Sequence, residues 1–188
     1  MSNMSLAFLG YGPDQTRLID WLQNFGHSVQ HIHGAVSDLS GFDRIISFGY
    51  RHILRKEVIR TAQKPIVNLH ISLLPFNRGA HPNFWAWVER TPHGVSLHEI
   101  DAGLDTGPIL EQRKVQFDDD RITLRDSQSR LVSEIESLFE EVFPKWIANQ
   151  VTLTPQEGAG TAHKSRDLPE WVHWDMQAKE ARDRYDHE

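Results

Sequence analysis

Four short strand-like segments in the first 70 residues, at 6–9, 29–32, 44–48 and 66–69, are separated by stretches that cannot be tight hairpin turns. Between the first two, Leu18, Ile19, Leu22 and Phe25 recur at helical spacing until Gly26, and a polar helix is predicted over 56–62. Strands joined through helices pair in parallel, because a parallel partner needs a crossover long enough to return the chain to the same end. The expectation is therefore an α/β fold, a doubly wound and mostly parallel sheet.

The middle of the chain changes pattern. Pro82 can open a short helix over 82–90, residues 94–100 alternate as a strand, and 108–115 read as its hairpin partner. From 124 to 147, Leu131, Ile135, Leu138 and Val142 fall three or four apart, which predicts one long C-terminal helix lying across the sheet.

After Asn149 the chain becomes polar. Residues 157–167 hold two glycines without apolar periodicity and are expected to be a loop; the tail from Asp175 is strongly charged and reads as a solvated helix or a partly disordered end. Trp171 and Trp174 are expected to dock that tail, either on the body or on a second copy in a homodimer. The division is thus 1–155 as the main domain, with 156–188 a polar loop and charged tail, not an independent domain.

Composition narrows the function classes. With 39% hydrophobic residues the chain can bury one real core. Lys plus Arg number 20 against 26 Asp plus Glu, and a net charge of -6 argues against a nucleic-acid partner. The absence of cysteine excludes disulfides, thiolate zinc sites and a cysteine nucleophile. No run approaches the roughly 18 apolar residues of a membrane span. A soluble, cytoplasmic protein without a membrane partner is expected.

Chemistry concentrates in two places. Asn68-Leu69-His70-Ile71-Ser72-Leu73-Leu74-Pro75 follows an apolar strand and runs into Phe76-Asn77-Arg78-Gly79. Asn68 and His70, two apart at a strand end, share a side and can face one reacting atom. The carboxyl ends of parallel strands are where such sheets bind ligands. Further on, Asp101-Ala102-Gly103-Leu104-Asp105-Thr106-Gly107 is a glycine-laced connection able to bring a carboxylate close to another backbone.

Together, in this order and spacing, the two segments resemble the folate-dependent formyltransferase family, which includes glycinamide ribonucleotide transformylases, methionyl-tRNA formyltransferases and N-formyltransferases of nucleotide-linked amino sugars. The resemblance is good over 42–115 and looser elsewhere. It implies a Rossmann-like formyltransferase fold, 10-formyltetrahydrofolate as co-substrate, no metal, and Asn68, His70 and Asp105 as catalytic residues. Attack of an amine on a formyl carbon creates an oxyanion and a cationic nitrogen, so the site needs a hydrogen-bond donor and a proton acceptor. Asn68 and His70 can supply donors; Asp105 can orient the imidazole, order a water or help deprotonate the nitrogen.

The resemblance also places the pterin beside Phe48, Tyr50, Ile53 and Leu54, with Asp101 and Gly103 closing the other side. The segment Arg78-Gly79-Ala80-His81-Pro82-Asn83-Phe84-Trp85 looks like the acceptor-binding part of sugar N-formyltransferases of surface polysaccharide and lipopolysaccharide synthesis, implying substrate contacts by Arg78, Gly79, His81, Asn83 and Trp85. Methionyl-tRNA formyltransferases add an RNA-binding domain for which this chain has neither length nor charge. Glycinamide ribonucleotide transformylases use a phosphate loop whose pattern is missing here, since Pro13 lacks an N–H. A nucleotide-linked amino sugar remains as the expected small-molecule substrate. The alternatives are another small amine such as glycinamide ribonucleotide, a formyltetrahydrofolate hydrolase, or a non-catalytic folate or nucleotide binder.

Other features carry plainer explanations. Gly10-Tyr11-Gly12 lacks the third glycine of a dinucleotide fingerprint. His31 and His33 lack a matched third metal ligand. Asp118-Asp119-Asp120 suits a turn before the long helix, and Lys164 and Arg166 suit a solvated loop. Trp85 and Trp87, two apart, face different sides of their helix, one toward the core and one toward the acceptor.

Overall fold

The structure is a computed structural model and describes residues 3–188. Strands β1 (Ser5–Gly10), β2 (Ser28–Ile32), β3 (Arg44–Phe48), β4 (Ile66–His70), β6 (Gly94–Glu99) and β7 (Ile109–Lys114) form one six-stranded sheet in the order β2-β1-β3-β4-β6-β7. Its first four strands pair in parallel, as the crossover segments dictate. Beyond β4 the sheet turns antiparallel, with β6 pairing β4 and β7 closing the predicted hairpin.

β3 lies beside β1 on the side opposite β2, so the sheet switches direction between β1 and β3. There Gly10 carries a φ of 110°, and a Cβ on it would stand 2.1 Å from the Phe48 carbonyl oxygen. Only glycine lets β1 end so close to its neighbour.

One face of the sheet is covered by α1 (Leu18–Asn24) and by α4 (Leu124–Ile147), whose Leu131, Ile135, Leu138, Phe139 and Phe143 bury against Leu6, Phe8, Val67 and Leu97. α4 begins where Thr123 accepts the Asp126 N–H, and its last carbonyls meet the buried Arg44 guanidinium, 3.1 Å from Ile147 O. A cation is favourable there because the helix dipole leaves that end negative. On the other face lie α2 (Lys56–Ile59) and Leu39, Ile45 and Ile66.

Residues after 155 are part of this packing. Inside the segment read from sequence as a loop, β8 (Ala162–His163) pairs in parallel with β5 (Arg78–Gly79), and a short 3-10 turn follows at Ser165–Asp167. α5 (Ala178–Tyr185) then buries Ala178 and Ala181 against α3 (Pro82–Val88). Trp171 and Trp174 pack on the same apolar cluster of their own chain. No helix among the described residues is long and apolar enough to cross a membrane.

Candidate active site

Asn68 and His70 leave the carboxyl end of β4, where the antiparallel register sets His98 opposite Asn68 and Ser96 opposite His70. Asp105 arrives from the β6–β7 connection with a left-handed φ of 51°. Such a backbone costs a non-glycine residue of order 1 kcal/mol or more unless its surroundings fix it. Here Gly103 N–H and Thr106 Oγ1 both donate to Asp101 Oδ1, at 2.8 and 2.7 Å. A Cβ at Gly107 would stand 1.8 Å from the Glu99 carbonyl oxygen, so that position admits no larger residue without moving the connection.

The Asp105 carboxylate is the meeting point. Its Oδ2 accepts the Gly79 N–H at 2.8 Å and lies 3.7 Å from His70 Nδ1. Its Oδ1 lies 3.4 Å from Asn68 Nδ2 and 3.5 Å from His98 Nε2. Burial alone would raise this carboxyl, yet the charge of a protonated His70, with the Gly79 N–H beside it, outweighs it and Asp105 is held far below the usual carboxylate range. Asp105 is an anion at any physiological pH.

His70 is buried, and its Nε2 stands 3.0 Å from the Asn77 carbonyl oxygen. A carbonyl only accepts, so Nε2 carries the proton and the Nδ1 lone pair faces Asp105 in the neutral ring. Burial lowers the imidazole pKa; Asp105 and the Asn77 carbonyl oppose that, and His98 adds to it. The net shift is downward, so His70 is neutral at pH 7. His98 Nδ1 donates to Glu99 O at 2.9 Å, leaving Nε2 to accept from Asn68 Nδ2 at 3.1 Å.

The two segments predicted to carry chemistry therefore converge: Asn68, His70 and Asp105 share one small volume at the strand ends. The residues expected beside a pterin divide. Phe48 points inward, edge-on to Tyr11 with centroids 4.8 Å apart. Tyr50 is tethered, donating to Gly34 O at 3.0 Å, and with Leu54 packs half-buried against the core. Ile53, at 92% exposure, and Leu104, at 51%, stand out as large apolar side chains in solvent. Nearby, Lys56, Ile59, Arg60, Asp101 and Ala102 line a hollow of about 300 Å³.

The residues expected to touch an acceptor divide as well. Arg78 and Gly79 edge the site, and His81 starts α3 with a φ of 56°, its ring 5.7 Å from Trp174. Asn83 and Trp85 do not reach it. Asn83 is buried and donates to Leu124 O at 3.0 Å and Ser127 Oγ at 2.9 Å, so its amide braces α3 on α4. Trp85 is buried in a 3.9 Å stack on His163, and Trp87 packs on His93 and Phe117. The cause is that α4 covers one side of α3 and α5 with residues before it covers the other; the sequence pattern of α3 does not announce that cover.

Three participants were not singled out from sequence. His98 was accessible through alternation, since a residue of β6 directly opposite Asn68 must share its face. Gln156 and Thr161 had no local signal, because their partners are remote: Gln156 Nε2 donates to Asp105 O, and Thr161 Oγ1 accepts from Asn77 N. Among the described residues no group of acidic and histidine side chains is arranged to hold a metal ion.

A mostly parallel α/β sheet carrying a polar cluster at the carboxyl end of β4 defines the class of a doubly wound protein with a candidate ligand site outside its strand ends. Residues 21–146 match the family model for formyl transferase, and the chain belongs to that family. Its structure resembles the formyltransferase PseJ from Anoxybacillus kamchatkensis, solved with UDP-4,6-dideoxy-4-formamido-L-AltNAc and tetrahydrofolate. That similarity is 34% identity over 94% of this chain and 97% of that one, with a TM-score of 0.85. A 4-N formyltransferase from Francisella tularensis shares the fold at 15% identity, covering 97% of this chain and 87% of that one, TM-score 0.79. HypX from Aquifex aeolicus, solved with tetrahydrofolic acid, does so at 20% identity over 98% of this chain and 34% of that one, TM-score 0.74.

Proposed function

We propose that this chain transfers a formyl group from 10-formyltetrahydrofolate to the primary amine of a nucleotide-linked amino sugar, serving surface polysaccharide synthesis in the cytoplasm. The observation that carries this reading is the convergence of Asn68, His70 and Asp105 on one point, with Asp105 Oδ1 3.4 Å from Asn68 and Oδ2 3.7 Å from His70. The acceptor class follows from PseJ, which was solved with a UDP-linked formamido sugar and tetrahydrofolate.

In this reading neutral His70 takes the proton of the attacking amine on Nδ1, and the anionic Asp105 beside it stabilises the imidazolium that results. Asn68 directs its amide toward the formyl oxygen. Its hydrogen bond to Asp105 is long, 3.4 Å, and is the one that yields to an oxyanion. His98, fixed by Glu99 O, holds the other amide hydrogen of Asn68 and so orients it.

Two exposed apolar side chains support a site for a flat donor. Ile53 and Leu104 sit in the loops expected to flank the pterin, and exposed large apolar residues mark ligand grooves. Arg78, Gly79 and His81 border the acceptor, while Asn83 and Trp85 support them from behind. Residues 1–155 form the catalytic core in this view, and 156–188 complete it.

Incubation with 10-formyltetrahydrofolate, with and without a panel of amino-sugar nucleotides, tests the reading. Release of tetrahydrofolate only with an acceptor, and an acceptor heavier by one formyl group in mass spectrometry, is expected. Equal release in water alone would make the protein a hydrolase, and no release with any amine would make it a binder; either result overturns the proposal.

A further inference from the structure

Residues 154–163 run from β7 past the Asp105 connection to the loop at 75–80. Thr154 and Ile109 exchange both backbone hydrogen bonds, at 2.9 and 2.7 Å. Two residues later the Gln156 side chain reaches inward. Its Oε1 accepts from Arg78 Nε at 3.1 Å and Nη2 at 2.7 Å, and its Nε2 donates to Asp105 O and Gly107 O, both at 2.8 Å. Every donor and acceptor position of the amide is used.

The strand that follows grips the neighbouring loop. A Cβ on Gly160 would stand 2.1 Å from the Pro75 carbonyl oxygen, so the two backbones touch. Thr161 Oγ1 accepts from Asn77 N at 2.8 Å and donates to Asn77 Oδ1 at 2.9 Å. Thr161 O and His163 O receive the N–H groups of Arg78 and Ala80, each at 2.9 Å. That loop supplies two groups to the site, the Asn77 carbonyl at His70 and the Gly79 N–H at Asp105.

On the reading that the site transfers formyl groups, we propose that Gln156 is a positioning residue for the transfer step. Its amide fixes the carbonyls of Asp105 and Gly107, and through Arg78 it ties that connection to the loop carrying Gly79. Asp105 sits in a left-handed conformation between residues flanked by Gly103 and Gly107, so its backbone is free to relax once those carbonyls are released. The bonds of Asp101 to Gly103 and Thr106 are exposed to water and do not reach either carbonyl. A displacement of about 1 Å at a catalytic group is enough to cost on the order of 100-fold in rate.

The test compares Gln156→Ala and Gln156→Glu with the wild type. Glutamate still accepts from Arg78 but has no N–H to give, so it turns a carboxylate toward two carbonyls. Both variants are expected to lose about 10- to 100-fold in kcat with the KM of each substrate little changed, and the glutamate is expected to rescue nothing. Imidazole titration of His70 by NMR gives a readout independent of turnover. Asp105 opposes the effect of burial at His70, while His98 and the Asn77 carbonyl are the other groups facing it. Retreat of Asp105 in Gln156→Ala therefore lowers the His70 pKa further. An unshifted His70 titration, or wild-type kcat per folded molecule in both variants, overturns the proposal. A wild-type enzyme inactive with every amine, together with a shifted titration in the variant, overturns the formyl-transfer reading and leaves the positioning of Asp105 by Gln156 standing.

Discussion

Oδ2 of Asp105 stands 3.7 Å from Nδ1 of His70 while accepting the Gly79 N–H at 2.8 Å. The backbone bond aims the carboxylate, and the aimed carboxylate faces the one ring nitrogen that has no proton. Replacement by asparagine keeps size and removes charge. Asp105→Asn is expected to lower kcat about 100- to 1000-fold with modest change in KM, measured by steady-state tetrahydrofolate release. Full activity in this variant contradicts a role for the charge.

The pH profile follows from the sign of the shift at His70. Its folded pKa lies below the ordinary 6.5, burial being the largest cause. The working base is therefore neutral at and above that pH and is lost only on further acidification. kcat/KM should be level above neutrality and fall on the acid side with a midpoint below 6.5. In Asp105→Asn the midpoint should fall further, because the charge that favours the imidazolium is gone.

Asn83 separates support from contact. Its two buried hydrogen bonds, to Leu124 O and Ser127 Oγ, hold α3 on α4. Asn83→Ala is expected to lower unfolding free energy by roughly 2–3 kcal/mol in urea titration. Acceptor KM and kcat per folded molecule should stay near wild type; a large KM increase would return Asn83 to the substrate surface.

His93 makes stability depend on acidity. Enclosed by Trp87 and Phe117, its pKa is lowered by burial from 6.5 to about 4. The folded state then binds fewer protons than the unfolded chain between these values. The contribution of neutral His93 is complete above pH 6.5 and is lost as pH falls toward about 4, at most roughly 3 kcal/mol. His93→Leu should flatten that part of the stability profile, read by denaturation at a series of pH values.

Much of this architecture is written locally. The strand at 44–48 and the helix at 124–147 occupy the bounds predicted for them, because β3 is buried on both faces of the sheet and α4 buries one apolar stripe against it. Asn68 and His70 were legible as a pair because a strand places alternate residues together. The burial of Asn83 and Trp85 was not legible because it is imposed by remote residues, Leu124 and Ser127 for Asn83 and His163 and Tyr185 for Trp85, which no window of sequence around α3 contains. β8 was invisible for a related reason. Two residues that pair in parallel with two others carry no periodicity, and their hydrogen bonds satisfy backbone that would look the same in a loop.

The bond from Asn77 N to Thr161 Oγ1 spans 84 positions in the chain. During synthesis the sheet and α4 can collapse while the segment bearing Thr161 is still inside the ribosome. The nascent polypeptide thus owns every reacting side chain before it owns the clasp that aligns them.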